Sequence, residues 1–252
     1  MGVMAAYNWN WKVFLQLAPG GGGATYLDWL VYGLRLTAML SLSSWIIASI
    51  VGSLMGVFRT VPNRILYWIA TAYVEVFRNI PLLVQLFIWY FVIPDVVPTA
   101  LGDWYKQLNP LVAQFVAAML CLAFFTGARI AEQVRAGIES LSRGQKAAGL
   151  ALGFTLPQTY RYVLTPMAFR IIVPPITSEM VNLIKNSAVA SIMGLLELAA
   201  MARQLLDYTA QSYESFIAVT VLYIALNVLV IGVMRFVEAR ARVPGFIAGG
   251  GR

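Results

Sequence analysis

Three stretches of this chain run for 23, 22 and 20 residues without an Asp, Glu, Lys or Arg: Leu36–Phe58, Gln107–Ala128 and Ser215–Met234. At 1.5 Å per residue, an α-helix of about 20 residues crosses the hydrocarbon core of a bilayer. Lipid offers the backbone no hydrogen-bond partners, so a spanning segment must pair its own N–H and C=O groups. Each stretch is therefore read as a membrane-spanning helix. Composition agrees, with 60% of the 252 residues hydrophobic and 12% charged, against about 45–50% and about 25% in soluble domains. The chain has no histidine, and its one cysteine, Cys121, sits inside an apolar run. That excludes zinc sites, Ser-His-Asp and Cys-His triads and intramolecular disulfides, and no metal site is expected.

Two further runs are long enough but carry charge: Ile65–Pro94 holds Glu75 and Arg78, and Ile171–Leu196 holds Glu179 and Lys185. Charges at membrane depth are costly and turn toward other helices or a polar cavity, so both runs are read as interior spans. The expectation is an all-α polytopic membrane protein with five spans. With the N-terminus outside, 12 Lys and Arg fall on inner segments and 4 on outer ones, which selects an N-out, C-in orientation. The net charge of +7 thus reports sidedness rather than a nucleic-acid partner. The start MGVMAAYNWNWKVF has neither a basic n-region nor a clear cleavage site, so no cleaved signal peptide is expected. Three parts follow: an outer interfacial segment over 1–27, a transmembrane domain over 28–240 and a cytoplasmic tail over 241–252. Tyr7 to Gln16, with Trp9, Trp11 and Phe14, suits the outer interface, and the glycines from Gly20 to Gly23 suit a flexible joint.

The cytoplasmic segment over about 135–170 is long for a connection between spans. Its text, SLSRGQKAAGLALGFTLPQTYRYVLTP, reads as two short helices. One covers about Arg143 to Leu152 and ends at Gly153; the second is capped by Thr155, with Pro157 in its first turn. Pro166 is expected to separate it from the next span. Ala148, Leu150, Ala151 and Leu152 would leave an apolar surface for a docking partner. The glycine run lacks a following Gly-Lys-Ser/Thr, and no other phosphate-binding loop occurs, so any nucleotide belongs to another chain.

Polar residues on the spans mark candidate path positions. Glu75, Arg78 and Asn79 share a helical face, where a Glu75–Arg78 ion pair competes with substrate contact. Arg129 and Glu132 repeat the i, i+3 spacing, and Arg129 can snorkel to the headgroups. After Pro174 and Pro175, the residues Glu179, Asn182, Lys185 and Asn186 fall within an arc of about 120°. That stripe either bonds to neighbouring helices or lines a path. A secondary transporter or an ion-coupled pore remains open on these charges alone, but neither needs a docking element, so the long loop points to a transport component that works with a partner chain.

The loop carries a family resemblance. GQKAAGLALG followed by VLTP resembles the EAA motif of permease subunits in bacterial ABC importers. Gly153 is followed after nine residues by Val163, Leu164, Thr165 and Pro166, in the frame of that motif. Ala147, Ala148 and Gly149 stand where the family has Glu, Ala and Ala. YVEVFRNIPLLVQ, EQVRAGIESLSRGQ and the Lys185-Asn186-Ser187 element are similar to the polar amino acid branch, and most narrowly to permeases of glutamate/aspartate importers. The resemblance implies a type I ABC importer permease of the bacterial inner membrane. A second homologous permease, two ATPase copies that bind ATP and Mg²⁺, an external solute-binding protein and an amino acid cargo are its implied partners; glutamine or arginine is the alternative cargo. It assigns ATPase docking to Gly144, Gln145, Lys146, Ala147, Ala148, Gly149, Gly153 and Pro166. Glu75, Arg78, Arg129, Glu179, Asn182, Lys185, Asn186 and Ser187 become the substrate-path candidates. Similar permeases usually carry Tyr at the Arg129 position, a departure that suits an anionic cargo. No catalytic residue and no cofactor is expected in this chain.

Overall fold

A computed structural model describes residues 7–20 and 22–241. Gly21 and the residues from 242 onward lie outside that description, so most of the expected C-terminal tail does too. Among the described residues every extended element is helical. A short 3-10 helix, Trp11–Leu15, precedes α1 (Tyr26–Phe58), α2 (Arg64–Asn79) and α3 (Leu82–Phe87). A π turn (Ile88–Val92) leads to α4 (Ile93–Val96), α5 (Thr99–Lys106), α6 (Pro110–Glu139), α7 (Arg143–Ala151) and α8 (Leu156–Thr159). A second π turn (Tyr160–Leu164) opens α9 (Thr165–Asn186), and a 3-10 segment (Ser187–Met193) is followed by α10 (Leu198–Thr209) and α11 (Ser212–Ala241).

Among the described residues four helical runs are long and apolar enough to span, Tyr26–Phe58, Pro110–Glu139, Leu156–Met193 and Ser212–Arg240. The fifth expected span is a bent pair, Arg64–Asn79 with Leu82–Val96, turning by 107°. The cause sits at Ile80–Pro81. Pro81 has no N–H to donate, and the residue before a proline is pushed out of the helical region; Ile80 accordingly sits at φ −90°, ψ 130°. Five spans are counted only if this elbow is taken as one.

The helices also outrun the uncharged stretches. α1 starts ten residues before Leu36, at Tyr26, and carries Asp28 and Arg35. Its start is set by a reciprocal cap in which the Thr25 N–H donates to Asp28 Oδ2 (2.8 Å) and the Asp28 N–H to Thr25 Oγ1 (3.3 Å). Arg64–Asn79 is held at its start by Asn63, whose Oδ1 accepts from the N–H groups of Ile65 and Leu66. Pro166 does not break the chain as expected. The π turn before it shifts the bonding by one residue, so that the Thr165 N–H donates to Tyr160 O, and the run continues into α9.

The molecule resolves into two contact units. The first comprises the chain up to Ser44 with Leu83–Cys121 and Ile184–Val228. Its core gathers Val13, Tyr26, Leu30, Leu198, Met201, Leu205 and Val219. Trp9 and Trp11 stack at 5.8 Å and stay about half exposed, as an interfacial segment should. The Glu214 carboxylate fastens that segment, accepting from the Tyr7 hydroxyl (2.5 Å) and the Asn10 N–H (2.6 Å). Chain reversal after it uses a bridge between Leu17 and Thr25, with Gly20 and Gly23 at positive φ, so these two glycines serve a turn.

The second unit comprises Trp45–Leu82, Leu122–Leu183 and the chain from Leu229. Its core packs Ala48, Ile130, Val134, Ile138, Tyr160, Leu164, Ala168 and Ile172. Gly52 and Gly56 let α1 lie against α6. A Cβ at Gly52 would stand 2.6 Å from the Gly127 carbonyl oxygen, and one at Gly56 2.6 Å from that of Ala131. This is small-xxx-small packing of membrane helices, used where backbones approach closely.

Candidate functional site

The loop helix α7 forms where the sequence predicts it. It closes in a Schellman turn: Gly153, at φ 83°, donates to Leu150 O (3.0 Å), and Phe154 donates to Gly149 O (3.2 Å). Thr155 then caps α8 in a full capping box with Gln158. α7 packs against α8 through Gly149, where a Cβ would meet Thr159 Cγ2 at 2.7 Å. Gly144, Ala147, Ala148, Leu150, Leu152 and Gly153 are exposed, Gln145 and Lys146 half-buried, and Pro166 exposed. The apolar residues of this helix are therefore exposed, with Leu152 at 76%. The Tyr160 hydroxyl ties the loop back to the turn after α1 by donating to Thr60 O (2.7 Å).

Within the same unit the charges pair differently from the sequence expectation. Glu75 does not pair with Arg78: it is exposed and accepts from the Asn79 amide (2.9 Å). Arg78 instead reaches Glu132 (3.4 Å), which also binds Arg59 and Arg135. Arg135 continues to Glu139 (2.5 Å). Arg129 does not pair with Glu132. Its Nε and Nη2 grip the Glu179 carboxylate at 2.6 and 3.2 Å. The reason is packing between α6 and α9, which brings a buried carboxylate within reach of a guanidinium suited to a two-pronged grip.

The expected stripe on α9 divides by environment. Glu179 is consumed by Arg129, and Asn182 and Asn186 are half-buried. Ser187 is buried and donates to Ile184 O (2.7 Å), capping the helix rather than facing a path. Lys185 is exposed, and among the described residues its ammonium has no ion pair.

Sequence reasoning missed three features. The four-residue spacing of Gly52 and Gly56 was visible but unused. Arg59 entered only as a basic residue of the inner side, whereas it is a nine-tenths-buried partner of Glu132. Glu197, the third, is fully buried at the start of α10. There its carboxylate accepts from the Ala200 N–H and the Tyr223 hydroxyl, both at 2.8 Å. Burial pushes its carboxyl above the usual carboxylate range, and these donors only partly offset that rise. Its position before an apolar helix, as an N-cap acid, was the available signal.

Comparison with known proteins places this architecture. The chain is 55% identical over 243 residues, 96% of its length and 98% of the relative's, to the glutamate/aspartate import permease protein GltJ of Escherichia coli (strain K12). It is 33% identical over 216 residues, 85% of this chain and 92% of the relative, to a probable glutamine ABC transporter permease protein, GlnM, of Bacillus subtilis (strain 168). Among solved structures, an amino acid ABC transporter crystallised with histidines matches with a TM-score of 0.70 at 26% identity, over 85% of this chain and 95% of that one. The family described as binding-protein-dependent transport system inner membrane component matches residues 48–243. With four helices of spanning length, an elbowed pair and a bare loop helix, this chain belongs to that family of multi-pass inner-membrane transport components.

Proposed function

We propose that this chain is a permease subunit of an ATP-driven importer of glutamate and aspartate. The observation that carries the reading is its near full-length relation to a permease named for glutamate/aspartate import. α7 is the docking helix: its exposed small residues let an ATPase groove close over it, and Gly149 and Gly153 hold it against α8 and end it. Two ATPase copies bind ATP and Mg²⁺ and perform the hydrolysis, a second homologous permease completes the path, and a solute-binding protein delivers the amino acid from outside. This chain itself is a transport component and not a catalyst.

A dicarboxylate cargo needs cationic partners along a dry path. Of Arg78, Arg129 and Lys185, the two arginines are held by Glu132 and Glu179. Lys185 has no such partner among the described residues, so it takes the role of carboxylate contact, and Arg129 becomes a brace for α9. The test is uptake of labelled glutamate, aspartate, glutamine and arginine by cells carrying the complete transporter with Lys185 or Lys185→Gln. Acidic amino acids should dominate, and Lys185→Gln should cut their uptake at equal abundance. Preference for glutamine or arginine would overturn the cargo. Uptake driven by an ion gradient without ATP would restore the secondary-transporter reading.

A further inference from the structure

α10 folds back along the outer part of α1. The Trp29 and Tyr208 rings meet at 5.7 Å, a Cβ at Gly33 would stand 2.7 Å from Met201 Cγ, and the Leu198 N–H donates to Thr37 Oγ1 (3.0 Å). The two helices therefore run antiparallel, and a crevice of about 660 Å³ opens between them. It lies at the end of the bundle that charge sidedness assigns to the outside. Arg35, on its wall, is the last charge before the uncharged Leu36–Phe58 stretch. As a helix that stretch is about 35 Å long and fills the hydrocarbon core, which sets Arg35 at its outer boundary, the level of lipid phosphates. Arg35 is exposed, and among the described residues it has no ion pair. Asp28 and Tyr32 share its helical face, with Asp28 about 10 Å further out. Asp28 Oδ2 takes both Thr25 donors, so its Oδ1 faces the crevice side unengaged among the described residues.

The wall thus carries one cation at the hydrocarbon boundary and one acid nearer the water, with Trp29, Tyr32 and Tyr208 rings beside them and the Gln204 amide opposite. A guanidinium suits a phosphate, and an ammonium is drawn both to a carboxylate and to aromatic faces. The complementary guest is a zwitterion whose phosphate lies inward and whose ammonium lies outward, the order of charges in an amine-bearing phospholipid. A headgroup without the amine would set its negative charge near Asp28 with no compensation. The apolar lining separates a lipid from a free zwitterion. Val31, Leu196 and Met201 line the same crevice, and Met39 and Leu42 continue the Arg35 face down α1 at 62% and 56% exposure. A free amino acid has nothing to lay against them, whereas glycerol and acyl methylenes do.

We infer that this crevice binds an amine-bearing zwitterionic phospholipid of the outer leaflet, its phosphate on Arg35, its ammonium toward Asp28 and its acyl stem along Met39 and Leu42. Seated there, the lipid braces α10 against α1. This assignment is independent of the cargo.

The experiment takes the protein purified in mild detergent with its co-purifying chains, strips residual lipid and titrates it with phosphatidylethanolamine or phosphatidylglycerol in mixed micelles. Native mass spectrometry reads the lipid retained by the unaltered protein, Arg35→Gln and Asp28→Asn. The unaltered protein should prefer phosphatidylethanolamine. Arg35→Gln breaks no ion pair among the described residues and should weaken that retention about tenfold, the loss of one charge-assisted contact. Asp28→Asn keeps an oxygen for the Thr25 donors and should abolish the preference over phosphatidylglycerol. Equal retention of the two lipids by the unaltered protein, unchanged retention in Arg35→Gln, or a preference that survives in Asp28→Asn overturns the proposal. So does an absence of retained phosphatidylethanolamine, which would mark the crevice as covered by a second permease. Heat stabilisation by soluble phosphoethanolamine equal to that given by the lipid overturns it as well, because the acyl stem would then contribute nothing.

Discussion

Arg129→Gln is expected to destabilise the fold rather than redirect the cargo. The substitution removes a two-pronged ion pair, at 2.6 and 3.2 Å, from a Glu179 side chain that is 7% exposed. Leaving a fully buried ion unpaired costs about 3–5 kcal/mol. Here the guanidinium is 43% exposed, and water screening on that side reduces the loss to about 2 kcal/mol, or about thirtyfold in the folded fraction. Because the cost lies in the abandoned carboxylate, Arg129→Gln/Glu179→Gln should recover most of it, giving an interaction energy of about 2 kcal/mol across the double-mutant cycle. The assay is the fraction of monodisperse protein surviving a heating series in detergent, with glutamate uptake normalised to abundance alongside. If Arg129→Gln keeps full heat resistance while losing preference for acidic amino acids, the guanidinium serves the cargo and the bracing argument fails. An uncorrected defect in the double variant would refute it as well.

Gly149→Val should detach α7 from α8, because a Cβ already stands 2.7 Å from Thr159 Cγ2; a cost of about 1–3 kcal/mol for overpacking should appear as lost uptake and lost ATPase co-purification while the chain stays in the membrane. Gly52→Val should act earlier, preventing stable accumulation, since its Cβ would press on the Gly127 carbonyl at 2.6 Å and on Ile130 Cβ at 2.7 Å; membrane abundance on immunoblots measures this. Glu197 gives a pH signature. Its raised carboxyl means the folded state binds the proton more tightly than the unfolded one, so this contribution to stability is full below the ordinary carboxylate range and is lost as pH rises through the folded value. Glu197→Gln should remove that slope from melting curves recorded across acidic to neutral pH, at a cost of about 1 kcal/mol for the weakened cap.

Much of the fold was legible because its signals are local. A stretch such as Leu36–Phe58 has no way to satisfy its backbone in lipid except by coiling. The loop helices were equally plain, since Gly153 and Thr155 with Gln158 act within a few residues of themselves. Helix ends were less visible. Counting uncharged residues placed the first span at Leu36, but charged residues near a helix end can reach the interface, and Thr25 with Asp28 set the true start. Pro166 misled for a similar reason: a proline removes one donor, and a π turn can absorb that loss.

The candidate site was half legible. Spacing assigns each candidate residue to its helix, but spacing along one helix cannot say what a neighbouring helix offers. Glu75 with Arg78, and Arg129 with Glu132, are good i, i+3 pairs taken singly. In the fold, Glu132 receives Arg59, Arg78 and Arg135, and Glu179 takes Arg129. The sequence by itself determined that this chain is a helical membrane protein, which side its loops favour and where its loop helix begins and ends, because hydropathy, charge sidedness and capping are read within one segment. Only the tertiary structure decided which charges are neutralised, which cations are left without an ion pair among the described residues and where glycines allow helices to touch. Those depend on distances between residues far apart in the chain, and a buried ion takes whichever partner the packing brings within about 3 Å.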